Sequence, residues 1–297
     1  MRSVLYMGLL GFLAFAMSFG DVHAAEAIQG RARIVGWNIL GFNPIPPARV
    51  ERIAHVIRRL SPDLIVLLEV NPDDVPERIV HNLGAGYQRP VILPQDGLVR
   101  QNIAFVLKTG VQVSGAQLIP GTNLAEEPGS RRAPTAAVRV GRFDFIVIGV
   151  HLKSGRKSAE RDKRTRQARA IASFIARATA GREKDVLVIG DYNMIPRAGN
   201  KRNDEVNFFA LSPDNFLRFV SSDFLAGRIS HIDGCGPLRG NLLDGFATSR
   251  RFTREYIPGS TRLISFGSLG MSCEFFRRNV SDHLPLVSEF RISHDDD

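Results

Sequence analysis

Short apolar runs that end on a polar residue recur along this chain. The clearest is DVLVIGDYN, Asp185–Asn193: Val186 to Ile189 are apolar, Gly190 closes the run, and Asp191 and Asn193 follow. Strand side chains repeat every two residues, so Asp191 and Asn193 share a side. RARIVGWNIL (Arg31–Leu40) ends in Trp37-Asn38, DLIVLLEV (Asp63–Val70) carries Glu69, and FDFIVIGVHL (Phe143–Leu152) runs into His151. NLLDGFAT (Asn241–Thr248) contains Asp244, and LVSEFRI (Leu286–Ile292) alternates its faces. Further strands are expected at Tyr87–Ile92, Asn102–Lys108, Val111–Leu118, Ala133–Val140, Phe219–Ser222 and Arg262–Phe266, with Gly141-Arg142 turning a hairpin.

A 3.6-residue period marks three helices. Pro47 opens the first, in which Val50, Ile53, Ala54, Ile57 and Leu60 form one stripe and Ser61-Pro62 stop it. Asp74–Leu83 is the second, with Gly84 as its stop. The third spans about Ser158–Ala180: Ala168, Ile171, Ala172, Ile175 and Ala176 face a core and its many charges face outward. Pro120–Arg132 reads as a polar loop, and Asn200–Leu217 as a loop with a short helix. Residues 31–293 form one α/β domain of mixed sheets covered by helices, and the tail 294–297 is disordered.

The N-terminus breaks this pattern. Arg2 precedes an interrupted apolar run from Val4 to Phe19, and Val22-His23-Ala24 resembles a cleavage site. Residues 1–24 are therefore read as a signal peptide for export to the periplasm or the exterior, with an uncleaved anchor as the alternative. Cys235 and Cys273 are the only cysteines; in an exported protein they pair or remain two buried thiols. The net charge of +9 suits a polyanionic partner such as nucleic acid or a phospholipid surface, or serves solubility alone.

The polar residues at or beside strand ends are Asn38, Glu69, His151, Asp191, Asn193, Asp244, Asp282 and His283. Each alone has an ordinary explanation: a turn residue, a solvated strand end, a hydrogen-bonded core histidine. Gathered together they would be costly to bury without a cation or a protonated histidine.

In order, the motifs are WNIL (37–40), LLEV (67–70), HLKSG (151–155), GDYN (190–193), LLDGF (242–246) and SDH (281–283). With them the chain resembles the endonuclease/exonuclease/phosphatase superfamily. The resemblance implies a four-layer α/β/β/α sandwich of two mixed sheets flanked by helices, with the site at the top of the packed sheets. It implies a divalent metal, Mg²⁺ first and Mn²⁺ or Ca²⁺ next. Glu69 would be the main ligand, Asn38 would lie beside it, and Asp282 would be a further metal or water-positioning carboxylate. The hard oxygen donors agree with such an ion. Asp191, helped by Asn193, would orient or deprotonate the water. His283, held by Asp244, would contact phosphate or act as acid or base, and His151 would donate to a phosphoryl or leaving oxygen. Arg132, in RRAP, resembles a phosphate-contacting arginine, with Arg131 adjacent.

The expected activity is phosphodiester hydrolysis by a monomer with no protein partner. Nucleic acid is the first substrate, because Lys153, Arg156 and Lys157, Arg197, Lys201 and Arg202, Arg250, Arg251 and Arg254, and Arg277 and Arg278 flank the motifs. The alternative is a phospholipid or sphingomyelin phosphodiesterase, or an inositol-phosphate phosphatase. It would use an aromatic loop, for which Asn207-Phe208-Phe209 and Cys273–Phe276 are candidates. A binding protein that has lost activity is the third reading.

Overall fold

The computed structural model describes residues 30–41, 45–71, 74–95, 101–127, 130–181, 183–193, 211–225 and 227–293. The expected signal peptide, the tail 294–297, most of the 200–217 loop, Arg197, Lys201, Arg202 and Asn207-Phe208-Phe209 lie outside the described residues. No helix among the described residues is long and apolar enough to cross a membrane.

The buried strand-like runs become two six-stranded mixed sheets. The first contains β1 (Arg31–Asn38), β2 (Leu64–Val70), β3 (Val91–Ile92), β4 (Asn102–Leu107), β13 (Arg262–Leu263) and β14 (Leu286–Arg291), in the order β13-β14-β1-β2-β4-β3. The second contains β5 (Gln112–Leu118), β6 (Pro134–Val140), β7 (Phe143–His151), β8 (Val186–Asp191), β9 (Leu217–Phe219) and β12 (Asp244–Ser249), in the order β5-β6-β7-β8-β12-β9. A separate hairpin pairs β10 (His231–Cys235) with β11 (Leu238–Asn241). The helices are α1 (Pro47–Leu60), α2 (Val75–Leu83), α3 (Ser158–Ala178), α4 (Val220–Leu225) and α5 (Cys273–Asn279).

Three apolar layers hold these elements together. Alternate residues of both sheets fill the layer between them: Ile34, Val66, Leu68 and Phe105 meet Phe145, Leu187, Ile189 and Phe246. The opposite residues of β1 and β2, including Val35, Trp37, Ile65 and Leu67, pack against Val50, Ile53 and Ile57 of α1 and Phe276 of α5. Ile148, Val150, Val186 and Val188 face Ala168, Ile171 and Ile175 of α3. Helix, sheet, sheet, helix is therefore the order of layers, as expected.

Glycine lets the sheets meet closely at two points. A Cβ on Gly36 would stand 2.5 Å from Ile189 Cγ2. Gly190 has φ +144°, and a Cβ there would stand 2.9 Å from Leu68 Cδ2 of the facing sheet and, within its own sheet, 2.0 Å from the Val150 carbonyl oxygen. Gly190 thus lies inside β8 and does not turn the chain out of it. Each sheet holds one parallel pair, β1/β2 and β7/β8. Both pairs deliver their C-terminal ends to one edge of the sandwich.

Several expected boundaries move. Asn241–Thr248 is not one strand: Ser230 Oγ accepts the N–H groups of Leu243 and Asp244 at 2.9 and 3.1 Å, between the end of β11 and the start of β12. Phe219–Ser222 is the end of β9 followed by α4. Of two longer expected strands only Val91–Ile92 and Arg262–Leu263 are strand, with Tyr87 joined to Lys108 by an isolated bridge. The hairpin β10–β11 was not expected, because its sequence lacks apolar alternation. Cys273–Phe276 is no loop: Ser272 caps α5 by accepting from Phe275 N–H at 3.2 Å, Phe276 is buried and Phe275 is exposed. Cys235 and Cys273 form a disulfide that fastens the β10–β11 hairpin to α5.

Two stability changes are expected. Gly190→Ala should cost at least about 3 kcal/mol, since backbone must move. Removing the disulfide, which closes a loop of 38 residues, should cost about 3–4 kcal/mol in the chain-entropy picture. Urea unfolding measures both, and wild-type midpoints would contradict them.

Candidate active site

The first sheet contributes Asn38 and Glu69, the terminal polar residues of β1 and β2. Glu69 sits at a bulge against β4 with φ +57°, a left-handed conformation that costs a non-glycine residue about 1–2 kcal/mol. Its Oε1 accepts from Asn38 Nδ2 at 2.9 Å, and its Oε2 from Gln101 Nε2 at 3.1 Å and Gly41 N–H at 3.3 Å. These three donors are neutral, so they orient the carboxylate without cancelling its charge.

The second sheet contributes three residues in adjacent register. His151 lies opposite Asp191 across β7/β8, and Asp191 lies opposite Asp244 across β8/β12. All three are buried. Two carboxylates directly opposite each other repel, and burial amplifies the repulsion. His283 relieves it: Asp244 Oδ2 is 2.7 Å from its Nδ1, and Asp191 Oδ2 is 4.0 Å from its Nε2. Burial opposes charge on the His283 ring, but Asp244, Asp191 and Asp282 together outweigh it and raise its pKa to about 10. Burial first, then the Asp244 charge, holds Asp191 above the ordinary carboxylate range.

His151 behaves oppositely. Its Nε2 lies 3.6 Å from Asp191 Oδ2 and 3.7 Å from Glu69 Oε1. Burial, followed by the charges of Arg131 and His283, keeps its pKa well below the ordinary value. The site therefore holds one neutral and one charged imidazole. Asn38 Nδ2, 3.4 Å from Asp191 Oδ2, links the two sheets.

The loop bearing His283 is held by the first sheet. Trp37 Nε1 donates to the His283 carbonyl at 2.8 Å, and Ser281 Oγ donates to the Asn38 carbonyl at 2.7 Å. Buried Arg49 donates to the Ile39 and Val280 carbonyls at 2.6 and 2.8 Å. Trp37 and Ser281 belong to the WNIL and SDH motifs, but their supporting roles, and Arg49 altogether, were not read from the sequence.

The structure thus brings together Asn38, Glu69, His151, Asp191, Asp244 and His283. Asn193 meets Asp191 through its backbone. Its backbone N–H donates to Asp191 Oδ1 at 2.8 Å, while its side chain donates to the Leu152 carbonyl at 3.0 Å. Asp282 faces His231 and His283, with Oδ2 3.6 Å from His231 Nε2 and Oδ1 4.0 Å from His283 Nε2. Arg131, adjacent to the expected Arg132, is tied to the carboxylates. Its Nη1 donates to Gln101 Oε1 at 2.7 Å, and Gln101 in turn donates to Glu69. Arg132 is bound through its backbone to Gln95. Adjacent arginines look alike in the sequence; only the path of the chain into β6 separates them. A cavity of about 450 Å³ opens beside His151, lined also by Arg131, Gln101, Lys153 and Glu127.

The donor set fits a hard divalent cation. Glu69 offers carboxylate oxygen, and the Asn38 amide oxygen, which accepts Leu40 N–H at 2.9 Å, has a second lone pair. Both cysteine sulfurs are consumed in the disulfide, and among the described residues the Glu69 charge has only neutral hydrogen-bond partners. Asp282 Oδ1 is buried without a hydrogen-bond partner among the described residues.

The family model for the endonuclease/exonuclease/phosphatase family matches residues 35–283. The fold is a sandwich of the phosphoester-hydrolysing type, and the chain belongs to that family. Its backbone is similar to the Neisseria 3′ phosphatase NExo bound to a product DNA hairpin, with TM-score 0.65, 17% identity, and coverage of 87% of this chain and 99% of that one. It is also similar to a humanised D. rerio TDP2, with TM-score 0.63, 17% identity and coverage of 88% and 99%. The human Nocturnin catalytic domain with bound sulfate matches with TM-score 0.62, 17% identity and coverage of 89% and 95%. At such identities the likeness concerns the fold. No curated protein matches the chain.

The opposed charge states of the two histidines can be measured. In metal-free protein at pH 7, nitrogen NMR should find His283 protonated on both ring nitrogens and His151 on one. The raised His283 pKa means that its stabilising contribution is complete below about pH 6.5 and fades as pH rises towards 10. Asp244→Asn should bring the His283 titration down towards neutrality. A wild-type His283 titrating near 6.5 would contradict this geometry.

Proposed function

We propose that this protein is an exported, divalent-metal-dependent phosphodiesterase, and first of all a nuclease. The convergence of Asp191, Asp244 and His283 on the ends of two adjacent strands, facing Glu69 and Asn38 from the other sheet, carries the reading. Enzymes of the family hydrolyse phosphoester bonds. Glu69 and Asn38 would hold the cation, which supplies charge neutralisation at phosphoryl oxygens.

The chain's own residues account for the remaining requirements. Asp191, with its raised pKa, is suited to accept a proton from water near neutral pH. Asp244 fixes the His283 ring so that Nε2–H points towards Asp191 and a phosphate placed beside it. The imidazolium stabilises negative charge that grows on the phosphoryl oxygens. Neutral His151 can donate one N–H to a phosphoryl or leaving oxygen, and Arg131 adds positive charge on the cavity side. Asn193 keeps the Asp191 carboxylate in one orientation.

Nucleic acid is favoured by the basic clusters that flank the motifs in the sequence; of these, Lys153 lines the cavity, paired with Glu127. Two structural neighbours hold DNA products, the NExo hairpin complex and D. rerio TDP2 with single-stranded DNA. The lipid alternative loses one support, since the aromatic segment at 273–276 is a helix with Phe276 in the core. Export rests on the reading of residues 1–24, and a disulfide suits an oxidising compartment.

Plasmid DNA, RNA and sphingomyelin assayed side by side with Mg²⁺ separate the substrates; hydrolysis of sphingomyelin alone would overturn the nuclease reading. Asp191→Ala and His283→Ala should each lower turnover by about 10³-fold or more with circular dichroism unchanged. Near-wild-type rates in both would remove the site from the reaction.

A further inference from the structure

His231 has no part in the proposed hydrolysis, yet it is placed with unusual specificity. It opens β10, whose backbone is joined to the catalytic loop. Ile232 N–H donates to the Asp282 carbonyl at 2.7 Å, Leu284 N–H donates to the Ser230 carbonyl at 2.8 Å, and His231 bridges His283. The two imidazole rings consequently lie 4.7 Å apart, tilted at 49°.

The side chains converge as well. His231 Nε2 is 3.6 Å from Asp282 Oδ2, and His283 Nε2 is 4.0 Å from Asp282 Oδ1. The ligand atoms of His231, Asp282 and His283 all lie within 4.8 Å of one another. Each histidine also has a carboxylate at its other nitrogen. Asp244 Oδ2 is 2.7 Å from His283 Nδ1, and Asp233 Oδ1 is 3.3 Å from His231 Nδ1. Asp233 is displaced by the bulge in β10, and Asn241 Nδ2 holds its Oδ2 at 3.1 Å. Carboxylate, histidine and a free Nε2 is the arrangement that orients imidazole towards a metal. It is complete at His283, whereas Asp233 stands 3.3 Å from His231 Nδ1 without a hydrogen bond to it; between the two rings, Asp282 Oδ1 is buried without a hydrogen-bond partner among the described residues.

We propose that His231, Asp282 and His283 form a second cation site, specific for a transition metal of the Zn²⁺ type, which takes Asp282 away from the oxygen site at Glu69 and Asn38. Two imidazoles and one carboxylate match zinc and disfavour Mg²⁺. Tetrahedral zinc with Zn–N near 2.0–2.1 Å needs ligand atoms about 3.3 Å apart, so side-chain rotations close the present spacing. Binding displaces the proton from His283 Nε2, and the cation then balances Asp282 and Asp244 in its place. Arg49 opposes the cation from α1, since its charge also acts on Asp282. His283 cannot serve zinc and a phosphate through the same Nε2, so the occupied site is an inhibited state.

Metal binding tests this without reference to turnover. EDTA-treated full-length protein is titrated with Zn²⁺ against a chromophoric chelator, and bound zinc is counted by elemental analysis after dialysis. Wild type and Glu69→Gln should each bind one ion with the same affinity. His231→Asn should lose at least about 100-fold, and Asp233→Asn about 10–100-fold, the range for a lost outer partner. X-ray absorption should show two imidazoles and oxygen. Wild type without bound zinc, or both the His231 and Asp233 variants binding as wild type, would overturn the site. If His231→Asn does not fold, Asp233→Asn decides alone. Because Glu69→Gln retains zinc in this account, failure of the phosphoesterase reading leaves the result interpretable.

Discussion

The Asp191–Asp244 pair governs the rest of this structure. Antiparallel pairing of β8 with β12 sets two buried carboxylates directly opposite each other. Neither can move away without breaking the ladder, so the fold must bring positive charge to them. His283 is that charge, and it comes from a loop rather than from the same sheet. Trp37, Ser281 and Arg49 can be understood as the fixings of that loop to β1 and its neighbours. An imidazolium between two carboxylates orders the loop, and the ordered loop keeps the carboxylates tolerable.

The same pair depends on how closely the sheets approach. Asn38 and Glu69 belong to the first sheet, and Asp191 and Asp244 to the second. They meet because both sheets place a parallel pair at the centre, and because Gly36 and Gly190 leave no Cβ in the gap. The hydrogen bond from Asn38 to Asp191 is the direct link. The left-handed backbone at Glu69 belongs to this arrangement, since it occurs where a β2 carboxylate must face the other sheet.

Much of this was legible in the sequence because several apolar strands carry a polar residue at or near an end, each with an ordinary explanation alone but together forming the ordered motifs of a family. Asn38, Glu69, His151, Asp191 and Asp244 were readable in that way, and SDH at a loop completed the set. The strands and helices followed from apolar periods of two and 3.6, and the order of the layers from the family resemblance. What was not legible depends on partners distant in the chain. Arg131 and Arg132 differ only in the direction β6 gives them. The role of Asn193 follows from its backbone turning back on Asp191. The hairpin β10–β11 and helix α5 carry too few apolar residues to announce themselves, and a disulfide joins them. His231 therefore stood unnoticed beside the loop that carries His283.

The central claim is that the carboxylates and histidines gathered at the strand ends form one cation-dependent phosphoesterase centre. The rate of hydrolysis of bis-p-nitrophenyl phosphate by EDTA-stripped protein, followed as Mg²⁺ is added back, tests it most directly. The account predicts no measurable rate without the ion, a saturable rise with it, and a weakened Mg²⁺ requirement curve in Glu69→Gln. Full turnover in the stripped protein, or none at any concentration of Mg²⁺, Mn²⁺ or Ca²⁺, would contradict it.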